Sequence, residues 1–293
     1  MKSDRRRQGF SIIELLVVIV IFAIMFALIL AGVQRARSAA ARMECANRLR
    51  QIGLALHHYH DIHRVFPTGV SYRGGKDPYP FMSWNTRLLP FLEQANLWKQ
   101  TEQAYAQDPN FLHNPPHVGL VTVMPIFTCP ADSRTLRVGR RAAFTSYLGV
   151  AGDDYQSEDG MLYLDSVIRL SDVRDGTSNT LMVGERPPSA DEVFGWWYAG
   201  QGQSKDGSGD MVLGVRELNI GSRWGWGCPR GPYQFQLGGI SNQCDAFHFW
   251  SLHPGGAHFL FVDGSVHFLS YSAASILPAL ATRAGGEAVT VPE

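Results

Sequence analysis

The chain has 293 residues, room for one large domain beside a terminal segment; 45% are hydrophobic and 18% charged, which excludes a disordered chain. Formal net charge is zero, but four of the 26 basic residues and one of the 26 acidic residues precede Phe10, leaving the remainder at −3. No basic stripe survives there, so no nucleic-acid partner is expected.

Lys2, Arg5, Arg6 and Arg7 form a basic leader ending at Gly9. From Leu15 to Val33 the chain carries neither a charge nor a proline. About 20 residues rising ~1.5 Å each match a ~30 Å hydrocarbon core, so the pattern predicts a helix crossing the membrane over 15–33. The basic cluster favours an inside N-terminus. A secretory signal has a shorter apolar core and a small-residue cleavage site, neither of which is found here. Glu14 heads the apolar run, where a carboxylate costs on the order of 2–3 kcal/mol and needs a partner.

Residues 34–60 lack proline and are rich in Ala, Arg and Leu, so the helix is predicted to continue to about residue 60. Cys45, Leu49, Ile52, Leu56 and Tyr59 draw one apolar stripe, with Arg42, Arg48 and Arg50 off it. The stripe requires a cover, here a globular body over 61–293. Past Pro67 and a loop near Tyr72, residues 83–100 predict a second helix kinked or broken at Pro90, with Trp84, Leu88, Phe91 and Ala95 on one face. Residues 124–132 predict a short strand ending at Cys129. From about 140 onward, short apolar stretches between Gly, Asp and Ser clusters predict antiparallel strands. The fold class is therefore α+β, a long N-terminal helix packed on an antiparallel sheet.

Asp263-Gly264 predicts a type I′ hairpin with a two-residue loop, pairing Phe261 with Val266 and Phe259 with Phe268. That register places Phe259, Phe261, Val266 and Phe268 under the helix stripe, with His258 and His267 together on the opposite face. Cys45, Cys129, Cys228 and Cys244 show no C-x-x-C spacing, so zinc and dithiol motifs are not expected. Outside the cytoplasm they would form disulfides. Three pairings are open, and the short Cys228–Cys244 separation prefers that bridge, leaving Cys45 with Cys129.

The stretch RRRQG-FSIIE resembles the signal of type IV prepilins and of type II secretion pseudopilins. The resemblance implies that prepilin peptidase cuts after Gly9 and methylates the new amino terminus at Phe10. It also gives Glu14 a partner, the α-amino group of a neighbouring subunit's Phe10. Localisation in the inner membrane with an extracytoplasmic body follows. His253, nine intervening residues and then Asp263-Gly264 resemble the C-terminal signature of a pilin-like family, domain of unknown function 1559. So do CANRLRQIGLALHHYHD (45–61), LLPFLEQANLW (88–98), FTCPAD (127–132) and SDVRDGTSNTLMVGE (171–185).

His57, His58, His60 and His63 beside Asp61 could suggest a metal site, but spacing sets no third ligand, and His at a helix C-terminus is favoured by the macrodipole alone. Acidic turns at Asp153-Asp154, Glu158-Asp159, Asp172 and Asp175-Gly176 offer oxygens of the kind Ca²⁺ takes, and major pseudopilins as a group hold Ca²⁺ in a C-terminal loop. None here has the order of a calcium loop, so solvated turns are the simpler reading. Ser178 lacks the turn and partner of a nucleophile, and no catalytic residue is assigned. Trp196, Trp197, Tyr198, Trp224 and Trp226 lie in Gly-rich segments, where exposed aromatics would hold carbohydrate or another envelope component. The expected function is a non-enzymatic, pilin-like subunit of a filament or secretion assembly, packing against other pilin-like subunits. The rival reading is a membrane-anchored binding module.

Overall fold

A computed structural model describes residues 12–72, 77–154, 156–220, 227–287 and 289. Helix α1 covers Ile12–His63, and the chain divides into two units between Ala41 and Arg42, inside that helix rather than at its end. In the first unit, every described side chain from residue 12 to 40 is exposed. Among the described residues, α1 is the one helix long and apolar enough to cross a membrane.

The second unit, Arg42–Glu293, is built on a five-stranded sheet: β1 (Tyr147–Gly152), β2 (Leu181–Glu185), β3 (Val212–Gly214), β4 (Gly256–Phe261) and β5 (Val266–Ser270). The strand order is β3-β1-β2-β4-β5, antiparallel except for the β1·β3 pair. The fold is thus α+β with an antiparallel-dominated sheet. Strand residues alternate between two faces, and each face has its own core. Tyr147, Val183, Leu260 and Val262 pack with Leu49, Ile52 and Leu56 of α1. Leu148, Val150, Leu181, Phe259 and Phe261 pack on the other side with Leu277 and Leu280 of α4 (Leu277–Ala281).

The hairpin register differs from the expected one by a single residue. Phe259 pairs with His267 and Leu260 with Val266, and the Phe261 and Gly264 amides donate to Ser265 O and Phe261 O, at 2.9 and 3.0 Å. The loop is therefore Val262-Asp263-Gly264, a type I turn with Gly264 alone at positive φ (86°) closing it as a bulge. The cause is tertiary. The Val262 and Asp263 amides donate to Thr180 O and Thr177 O, each at 3.0 Å, so the loop start is held to the segment entering β2. A one-residue slip exchanges faces. Leu260 and Val262 meet α1, whereas Phe259 and Phe261 face α4. His258 lies edge-on to Phe268 and His267 edge-on to Phe261, on opposite faces.

Two further expectations change. Residues 83–100 form α2 (Trp84–Arg87), a short 3-10 turn at Leu89–Phe91 and α3 (Ala95–Gln107), and Ala95 is exposed rather than sharing a face with Trp84. The helix breaks ahead of Pro90, as the sequence predicts: α2 ends at Arg87, and Pro90 is the second residue of the 3-10 turn. Residues 124–132 form no strand; Pro125–Phe127 is a 3-10 turn whose carbonyls serve a side chain. That side chain is Arg48, which leaves solvent to donate to Pro125 O, Thr128 O and Thr128 Oγ1 at 2.5, 2.7 and 3.0 Å. Arg42 likewise sits 3.5 Å above the Phe268 ring. Both arginines tie α1 to the body.

Candidate functional site

A buried polar cluster lies where β2 ends beside β4. Antiparallel pairing of Gly184 with Phe259 sets Glu185 next to His258, whose amide and Nδ1 approach Glu185 Oε2 at 2.7 and 3.1 Å. His253 reaches the same carboxylate from the segment before β4, its Nε2 3.5 Å from Oε1. That separation is too long for a good hydrogen bond, and Oε1 has no partner at bonding distance. Ser251 fixes the approach, accepting from the His253 amide at 3.0 Å and donating to Gly256 O at 2.7 Å. Glu185, His253 and His258 are all buried. Burial alone would raise the Glu185 carboxyl, but the close approach of the His253 imidazole and the hydrogen bonds of His258 outweigh it and hold it down at about 2.

Two cysteines close the cluster. Cys45 on α1 and Cys129 after the 3-10 turn are bridged, with a Cα–Cα distance of 5.6 Å. Cys129 Sγ stands 3.6 Å from His253 Nε2. One donor atom from each of Cys45, Cys129, Glu185 and His253 falls within 4.8 Å of the others, and all four residues are buried. Tyr147 covers the group, its hydroxyl 3.4 Å from both Cys45 O and Thr128 O. These residues come from four separate elements, so no spacing signalled the set. The available hints were His253 in its motif and the acid closing the apolar run that ends at Glu185. The nine residues between His253 and Asp263 are the span of β4 with its flanks: one end enters the cluster and the other makes the turn.

The other expected residues lie apart. Gly9 and Phe10 fall outside the described residues, as do Trp224 and Trp226, and Glu14 lies in the first turn of α1. Cys228 and Cys244 are bridged at a Cα–Cα distance of 5.5 Å. His57 and His60 pack on the Phe66 ring and His63 on Tyr59, using the run at the helix end for packing. Trp196, Trp197 and Tyr198 are buried core residues, not exposed loop aromatics. The acidic turns serve local structure: Asp153 pairs with Arg216, Asp159 accepts from the Asp153 amide, and Asp172 accepts from the Arg169 amide. Asp175 accepts from the Gly285 and Gly286 amides at 2.7 and 2.9 Å.

A separate open cleft of about 770 Å³ is lined by Phe111, Arg140, Arg141, Trp196, Lys205 and Asp210, among others. Asp210, one of the lining residues, is buried, accepts from the Gly202 amide at 2.8 Å and keeps Oδ1 without a partner. Burial lifts its carboxyl to about 7.

Comparison with known families completes the description. The prokaryotic N-terminal methylation motif matches residues 4–30, and the family described as Protein of unknown function (DUF1559) matches residues 34–275. No curated protein and no solved structure matches the chain. The methylation motif supports a pilin-like substrate of prepilin peptidase, and together with the apolar helix it supports a membrane-anchored chain. With most of its length matched, the chain belongs to the DUF1559 family.

Proposed function

We propose that the protein is a non-enzymatic, pilin- or pseudopilin-like structural subunit of a cell-envelope filament or a secretion-associated assembly. Prepilin peptidase cuts after Gly9, Phe10 becomes N-methylated, and Glu14 pairs with the Phe10 amine of a neighbouring subunit to set axial register. The protein resides in the inner membrane with its body outside the cytoplasm. The observation carrying this reading is the methylation motif over 4–30 running directly into α1, whose later turns are anchored in a sheet core. A structural role also suits the Glu185 cluster, whose residues are all buried between α1 and the sheet. Mass spectrometry of the purified mature protein should begin at methylated Phe10; a mature N-terminus at Met1, or one beyond Val33, would refute the reading. Glu14→Ala should abolish assembly seen by electron microscopy while leaving the body folded.

The cleft over Asp210 favours a second reading, an anchored module for carbohydrate or another envelope component. A ligand hydroxyl could donate to the unpartnered Asp210 Oδ1 while Arg140, Arg141 and Lys205 at the rim take an anionic group. Titration with acidic oligosaccharides would have to give saturable binding lost in Asp210→Asn. Indifference to that substitution would eliminate this reading.

A further inference from the structure

We propose that Cys45, Cys129, Glu185 and His253 form a Zn²⁺ site in the reduced chain, an alternative clasp to the Cys45–Cys129 disulfide. A tetrahedral zinc with bonds of about 2.3 Å to sulfur and about 2.0–2.2 Å to nitrogen or oxygen sets its donors about 3.3–3.8 Å apart. His253 Nε2 already stands 3.6 Å from Cys129 Sγ and 3.5 Å from Glu185 Oε1. Those are edges of such a tetrahedron. Thiolate, imidazole and carboxylate are all zinc ligands, and four of them fill a tetrahedron with no open position.

A second, independent observation points to a ligand. Glu185 is buried, and its Oε1 faces His253 without a hydrogen-bond partner. Its other oxygen is occupied, since Oε2 accepts from the His258 amide and lies against Nδ1 of the same residue. The carboxylate is thereby oriented to offer one oxygen, the outer-sphere arrangement that positions a metal-bound carboxylate. Ser251 holds the His253 backbone in the same way. The disulfide joins two of the four donors, so bridge and metal exclude one another.

Exchange between the states balances with a dithiol reductant. The dithiol reduces the Cys45–Cys129 bond to two thiols and is itself oxidised to a cyclic disulfide. Zinc then displaces both thiol protons and binds the two thiolates. Either state fastens α1, through Cys45, to the body, so a chain not yet oxidised still has its helix tied down. The hairpin and the Cys228–Cys244 bridge take no part.

The test uses the detergent-solubilised full chain, oxidised or reduced with a dithiol and desalted anaerobically, then exposed to Zn²⁺ or Co²⁺ alone. The reduced chain should take up one metal ion and show thiolate-to-cobalt charge transfer, while the oxidised chain takes up none. Bound zinc should protect two thiols from alkylation, and peptide mapping should identify them as Cys45 and Cys129. Glu185→Gln should weaken uptake at least ~10-fold. No uptake by the reduced chain, folded or not, overturns the proposal. So does equal uptake by the oxidised chain, or protection mapped to Cys228 and Cys244. The mapping uses the unaltered chain, so the test does not depend on any variant folding.

Discussion

Replacing Leu260 by alanine removes a fully buried side chain from the contact between α1 and the sheet. Large-to-small changes at such sites cost about 2–5 kcal/mol. Its neighbour across the contact is Gly53, where an added Cβ would lie 2.8 Å from Leu260 Cδ1 and 3.8 Å from Gly264 Cα. Gly53→Ala alone therefore combines two opposed effects. Alanine recovers about 1 kcal/mol of helix propensity, and overpacking against Leu260 costs about 1–3 kcal/mol. The single change should be neutral to destabilising by about 2 kcal/mol. In the Leu260→Ala background the colliding methyl is gone, the 3.8 Å contact with Gly264 is ordinary, and the same change should stabilise by about 1 kcal/mol. The cycle thus predicts a favourable coupling of about 1–3 kcal/mol, read from urea unfolding followed by near-ultraviolet circular dichroism. Additivity within about 0.5 kcal/mol would refute the register, because it would mean that Leu260 does not face Gly53. So would a cost below about 1 kcal/mol for Leu260→Ala.

Burial lifts Glu217 from its ordinary 4.5 to about 7, with its oxygens accepting from the Gly214 and Leu218 amides. A raised carboxyl contributes stability that is full below 4.5 and lost as pH rises through 7, about 3 kcal/mol in all, so Glu217→Gln should flatten the stability profile between pH 5 and 8. An unchanged slope in denaturation series would contradict this. Glu185 has the opposite sign: held down at about 2, its contribution is present above 4.5 and lost as pH falls toward 2. Glu185→Gln should therefore remove an acid-side transition, measurable by circular dichroism from pH 5 to 2. Arg48→Leu should destabilise by about 2 kcal/mol in urea unfolding, since it leaves the Thr128 and Pro125 carbonyls without their charged donor. Asp175→Ala should loosen residues 283–287, detected as faster proteolysis near the C-terminus with the sheet intact.

What could be read from the sequence was what local pattern controls. The apolar run, the stripe from Cys45 to Leu56 and the turn at Gly264 each depend on neighbours a few residues away, and all three are present. Where a distant backbone group competes, local rules lost. Asp263-Gly264 signals a two-residue loop, but Thr177 and Thr180 claim the amides before it and lengthen the loop by one. Residues 124–132 have strand composition, yet Pro125 opens a tight turn and Arg48 binds its carbonyls. Gly-rich surroundings suggested exposed tryptophans, whereas Trp197 donates to Thr122 O at 2.8 Å and fills the core instead.

The Glu185 cluster shows the same limit at the level of a site. Its four donors are set 84, 56 and 68 residues apart along the chain, distances at which spacing carries no geometric information. They meet because α1 lies over one sheet face and the β2·β4 pairing brings Glu185 against His258, which leaves the other oxygen facing His253. Cys45 is therefore both a stripe residue and a ligand-type residue, and the stripe alone accounts for its burial. The family motif marks His253 without revealing its partner. A buried carboxylate with one oxygen engaged and the other facing a histidine is costly in a structure whose only need is packing. That cost is the reason to look for chemistry at Glu185 rather than at the histidines of the helix end, which pack on Phe66 and Tyr59.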